Sequence, residues 1–326
     1  MRAPDFWAAD NGGLVATLLS PIGAIIGAIT AARVRKAPIW TAPVPVICVG
    51  NAVMGGAGKT QISRDIADRL KARGHTPHII MRGYGGRLTG PVQVDPQQHT
   101  ATDVGDEAIL LAGAVPTWIA RQRPEAARAA VAAGADVIIM DDGFQNPSLA
   151  KTISLLVIDA GYGFGNGYVF PAGPLRERAS AAFQRADAVC VIGTPGASLP
   201  TLPSTLPRFD ALTVPAPSAP AIEGQKVVAF AGIGRPEKFF QTLRDVGADV
   251  IKTHSFPDHH AFSDTDIAAC LQLADTAGAK VLTTEKDHVR LPKKYHDRVT
   301  AYPVCLKWQD ADAFDAFIAG ALKEGG

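Results

Sequence analysis

VPVICVGNAVMGGAGKT, residues 44–60, decides how the rest of the chain is read. Val46, Ile47, Cys48 and Val49 form a short apolar run suited to a strand covered on both faces, and Gly50 ends it. Gly55, Gly56 and Gly58 leave a backbone that can turn its N–H groups onto an anion, so Val53, Met54, Gly55, Gly56, Ala57, Gly58, Lys59 and Thr60 are the expected nucleotide-phosphate cradle. Lys59 supplies a positive charge to the outer phosphates and Thr60 a hydroxyl for magnesium. The helix beginning there points its positive end at the nucleotide. The strict pattern G-x-x-x-x-G-K-[ST] requires glycine at position 53, where this chain has Val53, so the P-loop is atypical. The plain alternative is a glycine-rich turn that binds nothing.

With 326 residues the chain can bury a sizeable core and has the length of two domains. Its 32 basic and 31 acidic residues leave no bulk field, which argues against a nucleic-acid partner and makes any anion recognition local. Cys48, Cys190, Cys270 and Cys305 lie far apart without a C-x-x-C pair, so neither a zinc site nor a disulfide framework is indicated. They fit reduced core thiols in a cytosolic compartment.

Residues 12–32 are a run of 21 without a charge, enough at about 1.5 Å per residue to cross roughly 30 Å of hydrocarbon. Pro21 lies inside the run, and Leu14, Leu18, Ile22, Ile25 and Ile29 gather on one side at helical spacing, which suits a helix lying in an interface. Arg33, Arg35 and Lys36 follow and can meet anionic head groups. An interfacial helix, a spanning helix and a core helix all remain open readings. A signal peptide fits less well, because Asp5 and Asp10 offset the basic start.

Further along, His78–Met81 reads as a second buried strand that delivers Arg82-Gly-Tyr84-Gly-Gly-Arg87 where ligands collect in open parallel sheets. Arg82 and Arg87 are phosphate contacts on that reading, and a mobile surface loop is the alternative. Asp106 and Glu107 precede an apolar helix, a common place for dipole partners. Residues 136–140 form another hydrophobic strand, with Asp141 and Asp142 at its end; one of them can hold magnesium directly or through water, and the other can orient it or bind a second metal. Residues 161–177 read as a long surface loop able to cover a site. Seven prolines between Pro195 and Pro220 suggest an interdomain linker, after which an α/β unit resumes near Lys226. The adjacent His259 and His260 invite a metal reading, but they cannot share one helical face, and solvent-facing histidines are the simpler reading.

Taken together, GNAVMGGAGKT, RGYGG, VGDE, DDGFQN, PAGPLRE, FAGIGRPEKFF, FPDHHAF and TTEKD resemble the tetraacyldisaccharide 4'-kinase family, the lipid A kinases of Gram-negative bacteria. The resemblance covers nearly the whole chain. It implies an α/β fold with a P-loop NTPase-like core and a mainly parallel sheet, a smaller C-terminal α/β domain across a hinge, and an N-terminal amphipathic membrane-associating helix. The corresponding segments are 1–36 for the helix, 37–194 for the core, 195–225 for the linker and 226–326 for the smaller domain. The implied reaction moves the ATP γ-phosphate, with Mg2+, to the 4'-hydroxyl of a tetraacylated glucosamine disaccharide 1-phosphate. The implied location is the cytoplasmic face of the inner membrane, on its surface rather than across it, with no obligate protein partner.

The resemblance also pairs Asp106 with His259 as the base of the reaction, beside Lys59. Within the quoted motifs Asn51, Arg82, Tyr84, Glu107, Gln145 and Arg176 stand as substrate or phosphate contacts. The chain departs from the family pattern at Asn146, where histidine is usual, and at Arg235, where asparagine is. The rival readings are a P-loop switch that recruits partners to a membrane and a lipid-binding scaffold with an idle loop. Met54 stands where deviant switch loops carry a second lysine, and Glu285-Lys286-Asp287 lacks the spacing of a guanine-reading N-K-x-D.

Overall fold

The apolar run after Pro45 is a strand, and it lies in the interior of a large sheet. The computed structural model describes residues 4–8, 12–194 and 199–324. Among the described residues this sheet has nine strands: β1 (Val46–Gly50), β2 (Pro77–Met81), β3 (Val92–Gln93), β4 (Thr117–Ile119), β5 (Val137–Asp141), β6 (Ile153–Asp159), β7 (Ala188–Ile192), β8 (Arg208–Pro215) and β13 (Val304–Trp308). Their spatial order is β13-β8-β7-β6-β1-β5-β2-β4-β3. Only the outermost pairings, β13 with β8 and β3 with β4, are antiparallel. β1 lies between β5 and β6, with Val49 in register with Asp141 on one side and Leu155 on the other. The loop leaving β1 and the aspartates leaving β5 therefore open side by side at the carboxyl edge, where parallel sheets bind ligands.

Alternation along β1 sends its side chains into two cores. Ile47 and Val49 pack with Ile62, Ile66 and Leu70 of α2 (Lys59–Ala72), while Val46 and Cys48 pack with Ala126, Ala127 and Ala130 of α5 (Arg123–Ala132). Burial on both faces is what an uninterrupted apolar run requires. A second sheet, β9 (Lys226–Ala231), β10 (Asp249–Ser255), β11 (Lys280–Thr284) and β12 (Val299–Tyr302), runs in the order β10-β9-β11-β12 with parallel pairings throughout. It is sandwiched in the same way between α7 (Pro236–Asp245), through Phe239, Phe240 and Leu243, and α8 (Asp264–Ala277), through Ile267, Cys270 and Leu271. The remaining helices are α1 (Gly13–Val34), α3 (Ala101–Val104), α4 (Asp106–Ala112), α6 (Ala179–Phe183), α9 (Glu285–His288) and α10 (Ala311–Glu324).

The segmentation expected from composition differs from the sheet topology at two places. Residues 195–198 lie outside the described residues, but β8 falls inside the expected linker 195–225 and is hydrogen-bonded to both β7 and β13. Pro207 precedes this strand and Pro215 is its last residue, and neither interrupts its ladder. The final stretch also leaves the second sheet: β13 rejoins the large sheet, and Phe314 and Ile318 of α10 pack in its core. The smaller unit is thus an insertion, and the chain crosses between units twice.

α1 fully buries only small residues, and Ile26 packs half-buried against the large core beside them. Ala16, Gly23, Gly27 and Thr30 are buried, and at Gly23 a Cβ would stand 2.5 Å from the Val169 carbonyl oxygen, an approach only glycine permits. Leu14, Leu18, Ile22, Ile25 and Ile29 remain 75, 69, 49, 62 and 63 % exposed, so α1 is not a core helix. Its inner face is small rather than polar, which departs from an ordinary amphipathic pattern. By length and composition α1 is also apolar enough to cross a membrane.

The 161–177 segment is not a free surface loop. Leu175 is buried and bridges to Val53 and Val169, the Met54 N–H donates to the Pro174 carbonyl at 2.8 Å, and the Arg176 N–H to that of Ala52 at 2.7 Å. The glycine-rich loop and residues 174–176 brace each other, and Val53 bridges to Leu175 at the position where the strict P-loop pattern has glycine.

Candidate active site

At the end of the site formed by the glycine-rich loop, Lys59 is the first residue of α2, preceded by Gly58 in the left-handed conformation (φ 88°). Asn51 Nδ2 donates to the Gly55 carbonyl at 3.3 Å and narrows the loop. Met54, Gly55 and Gly56 are exposed, Ala57 is buried, and Gly58, Lys59 and Thr60 are half-buried. Lys59 Nζ lies 3.7 Å from Asp142 Oδ1, which also accepts from Arg176 at 2.9 Å. Arg176 reaches Gln145 Oε1 at 3.3 Å. Gln145 Nε2 in turn donates to the Asn51 carbonyl at 2.8 Å and to Glu177 Oε1 at 3.0 Å.

The two aspartates at the end of β5 have opposite environments. Burial pushes the Asp141 carboxyl up to about 7, with the charges of Glu107 and Asp142 adding to the rise and Ser63 and Lys59 opposing it. Its Oδ1 accepts the Ser63 hydroxyl at 2.7 Å. For Asp142 burial acts in the same direction, but Lys59 and Arg176 outweigh it and hold the carboxyl below its ordinary value. Arg123, itself buried, places its guanidinium 3.4 Å from the carbonyls of both aspartates.

The second half of the site is assembled from α4, the turn after β10, and α9. Gly105 at φ 92° starts α4 where a Cβ would stand 2.5 Å from the Tyr84 carbonyl oxygen, so only glycine lets Asp106 sit beside the RGYGG loop. Asp106 is buried, and its Oδ2 meets His259 Nδ1 at 2.9 Å. The same oxygen has Arg290 Nε at 3.5 Å and Lys286 Nζ at 4.0 Å. Burial alone would raise the Asp106 carboxyl; the hydrogen bond from His259 and the charges of Lys286, His259 and Arg290 bring it below the ordinary value instead. Lys286 also contacts Glu107 at 3.2 Å, Asp258 at 3.9 Å and His259 Nε2 at 3.5 Å. Buried Asp287 accepts the Gly232 N–H at 3.1 Å and the Thr284 hydroxyl at 2.7 Å, fixing α9 against the turn that carries His259. Among the described residues, the two non-glycine residues with positive φ are Asp142 at 48° and His259 at 58°. Strained backbone of this kind collects at functional sites.

Most of the residues expected from sequence converge here. His259 and His260 are not simply solvent-facing: His259 binds Asp106, and His260 lies 3.0 Å from Asp266 Oδ2. Tyr84 is exposed with its ring 6.1 Å from that of His259. Arg82 is exposed, and its charge adds to the effects that lower the Arg123 pKa, of which burial is the largest. Arg87 instead pairs with Asp103 at 2.7 Å. Of the departures from the family pattern, Asn146 Oδ1 caps a local turn through the Ser148 N–H at 2.9 Å, and Arg235 forms an ion pair with Asp159 that joins the two units. Sequence reasoning missed Ser63, Arg123, Glu177, Lys286 and Arg290. Ser63 lies one helical turn after Lys59, and Lys286 stands inside TTEKD, the two signals that were available. Among the described residues, Asn51 Oδ1, Arg123 Nε, Asp141 Oδ2, Glu177 Oε2 and His254 Nε2 are buried without a hydrogen-bond partner. The first four belong to this network, where leaving such groups unpaired costs about 1–3 kcal/mol each.

The model of the family described as tetraacyldisaccharide-1-P 4'-kinase, LpxK, matches residues 15–323. The chain belongs to this family. A tetraacyldisaccharide 4'-kinase of Rhodospirillum centenum is 49% identical over 99% of this chain and 97% of its own length. One of Paramagnetospirillum magneticum is 51% identical over 94% of this chain and 95% of its own. The solved structure of LpxK from Aquifex aeolicus in complex with ATP is similar at 25% identity and a TM-score of 0.78, covering 95% of this chain and 100% of that one. The family's fold is therefore the fold described above.

Proposed function

We propose that the chain is a tetraacyldisaccharide 4'-kinase, transferring the γ-phosphate of ATP to the 4'-hydroxyl of an acylated disaccharide 1-phosphate in lipid A biosynthesis. The observation that carries the mechanism is the 2.9 Å contact of Asp106 with His259, made between the two units at the mouth of a phosphate-binding loop. Lys59 and the amides of residues 53–60 hold the β- and γ-phosphates, and Arg176 and Arg82 add charge around them. Phosphoryl transfer needs positioning and neutralisation more than covalent help. Asp106, ionised by its cationic neighbours and oriented by His259, accepts the hydroxyl proton, and Lys286 holds Glu107 and Asp258 in the surrounding charge network.

Magnesium fits the donors present. Thr60 offers a hydroxyl and Asp141 a buried Oδ2 without a partner, hard oxygens of the kind the ion takes alongside phosphates and water. Asp142, occupied by Arg176 and Lys59, is the residue that orients. When bound, the ion neutralises charge on the phosphates. The exposed apolar side of α1, followed by Arg33, Arg35 and Lys36, suits docking on the cytoplasmic face of the inner membrane with the acyl chains of the acceptor beside it.

The test is incubation with γ-labelled ATP, magnesium and a detergent-solubilised acceptor. Label in the lipid supports the proposal; release of phosphate to water without labelled lipid contradicts it.

A further inference from the structure

The buried side of α2 is Ile62, Ser63, Ile66, Ala67 and Leu70, and Ser63 is the polar residue among them. A hydroxyl taken out of water onto an apolar face needs a partner to offset its desolvation. A serine inside a helix ordinarily turns its hydroxyl back to the carbonyl four residues earlier. Ser63 Oγ instead donates across to the end of β5, to Asp141 Oδ1 at 2.7 Å, with both residues fully buried. A serine hydroxyl carries one proton, so this bond commits it.

The bond divides the two oxygens of Asp141. Oδ1 is held, while Oδ2 is buried and has no hydrogen-bond partner among the described residues. The backbone of Asp141 is held as well, by its register with Val49 of β1 and by Arg123 Nη2 at 3.4 Å from its carbonyl oxygen. A carboxylate fixed through one oxygen and through its main chain has little freedom left to turn. Asp142 is restrained differently, by the cations Arg176 and Lys59. A hydroxyl orients a carboxylate without bringing a charge that competes with a metal ion. Ser63 also follows Lys59 by four residues and Thr60 by three, so all three lie on one side of α2.

We propose that Ser63 is a positioning residue for the divalent ion: it anchors Asp141 through Oδ1 and so leaves Oδ2 to the metal. The inference rests on the assignment of magnesium to Thr60 and Asp141 above. Removing the hydrogen-bond partner of a metal-ligating carboxylate typically weakens metal binding about 10- to 100-fold.

The test titrates Mn2+, an ion of similar oxygen preference with a readable EPR signal, into the full chain carrying ADP, with the chain in excess over the nucleotide and no acceptor present. Ser63→Ala should raise the Kd for Mn2+ roughly tenfold and leave the Kd for ADP in EDTA unchanged. Asp141→Asn should also weaken Mn2+ binding, and adding Ser63→Ala to it should weaken binding no further, because the serine acts through that carboxylate. If Ser63→Ala does not fold, Ser63→Cys, close in shape and a weak donor, carries the same comparison. Mn2+ binding as tight as wild type in the serine variant overturns the role. So does an equal loss of ADP affinity in EDTA, which would mean that Ser63 only packs the loop, or a further loss on top of Asp141→Asn. A wild-type chain that takes up no Mn2+ overturns the inference together with the magnesium site. A chain that follows the expected pattern but labels no lipid would fail the proposed reaction and keep this role; one that labels lipid while Ser63→Ala binds Mn2+ normally would do the reverse.

Discussion

The two ends of the site are built in contrasting ways. The phosphate end comes largely from one stretch, residues 51–60, with Asp142 and Arg176 brought up beside it by one sheet and its bracing loop. The end proposed to accept the proton is made of residues 106–107, 258–259 and 286–290, which meet only where α4 of the larger unit packs against α9 and the turn after β10. Each end contains a non-glycine residue with positive φ, Asp142 in the first and His259 in the second. The first end can be rigid, since a loop between a buried strand and a helix has little freedom. The second depends on charges from two units holding each other, so it couples chemistry to the relative position of the units.

This contrast predicts how damage should spread. At the phosphate end Lys59→Ala should lower kcat by about a hundredfold or more, as removal of a donor aimed at developing charge does, with the acceptor affinity retained. Turnover near wild type would remove the loop from the chemistry. At the other end Lys286→Met should lower kcat/KM by about tenfold, and the loss should depend on pH. Lys286 is one of the charges that depress the Asp106 pKa, so without it that pKa rises and the acid limb of the rate profile moves to higher pH. A uniform loss at all pH values would mean that Lys286 acts only through packing.

The smallest effect expected is on stability. The Asp141 carboxyl titrates near 7 in the folded chain against an ordinary value of 3.8. The folded state therefore holds a proton that the unfolded state has released, and this group's contribution to stability declines as pH rises from about 4 to 7. Asp141→Asn should raise the Tm of the nucleotide-free protein by a few degrees at pH 7.5 and change it much less at pH 5. Equal shifts at both pH values would contradict a buried, protonatable Asp141.

The same contrast explains what could be read from the sequence. Strands β1, β2, β5, β6, β9 and β11 announce themselves as apolar runs because they are covered on both faces. β8 does not: it is largely half-exposed and bracketed by prolines, and only its pairing with β7 and β13 makes it a strand. Without β8 and β13 the return of the chain to the large sheet was invisible. In the site, Lys59, Thr60, Asp141 and Asp142 follow from local pattern. The pairing of Asp106 with His259 came from family resemblance, since no spacing rule joins residues 153 positions apart. Arg123 and Arg290 had no local signal of role, and Lys286 had only its place inside TTEKD, because each acts through a neighbour supplied by the fold.

The account depends most on Asp106 and His259 acting as one unit across the two sheets. The direct measurement is a double-mutant cycle on lipid phosphorylation with Asp106→Ala, His259→Ala and the combination, each checked for ATP binding. Each single variant should lose roughly 10²- to 10⁴-fold in kcat with ATP binding retained, and the double variant should be little worse than the poorer single one. Losses that multiply in the double variant would contradict the account.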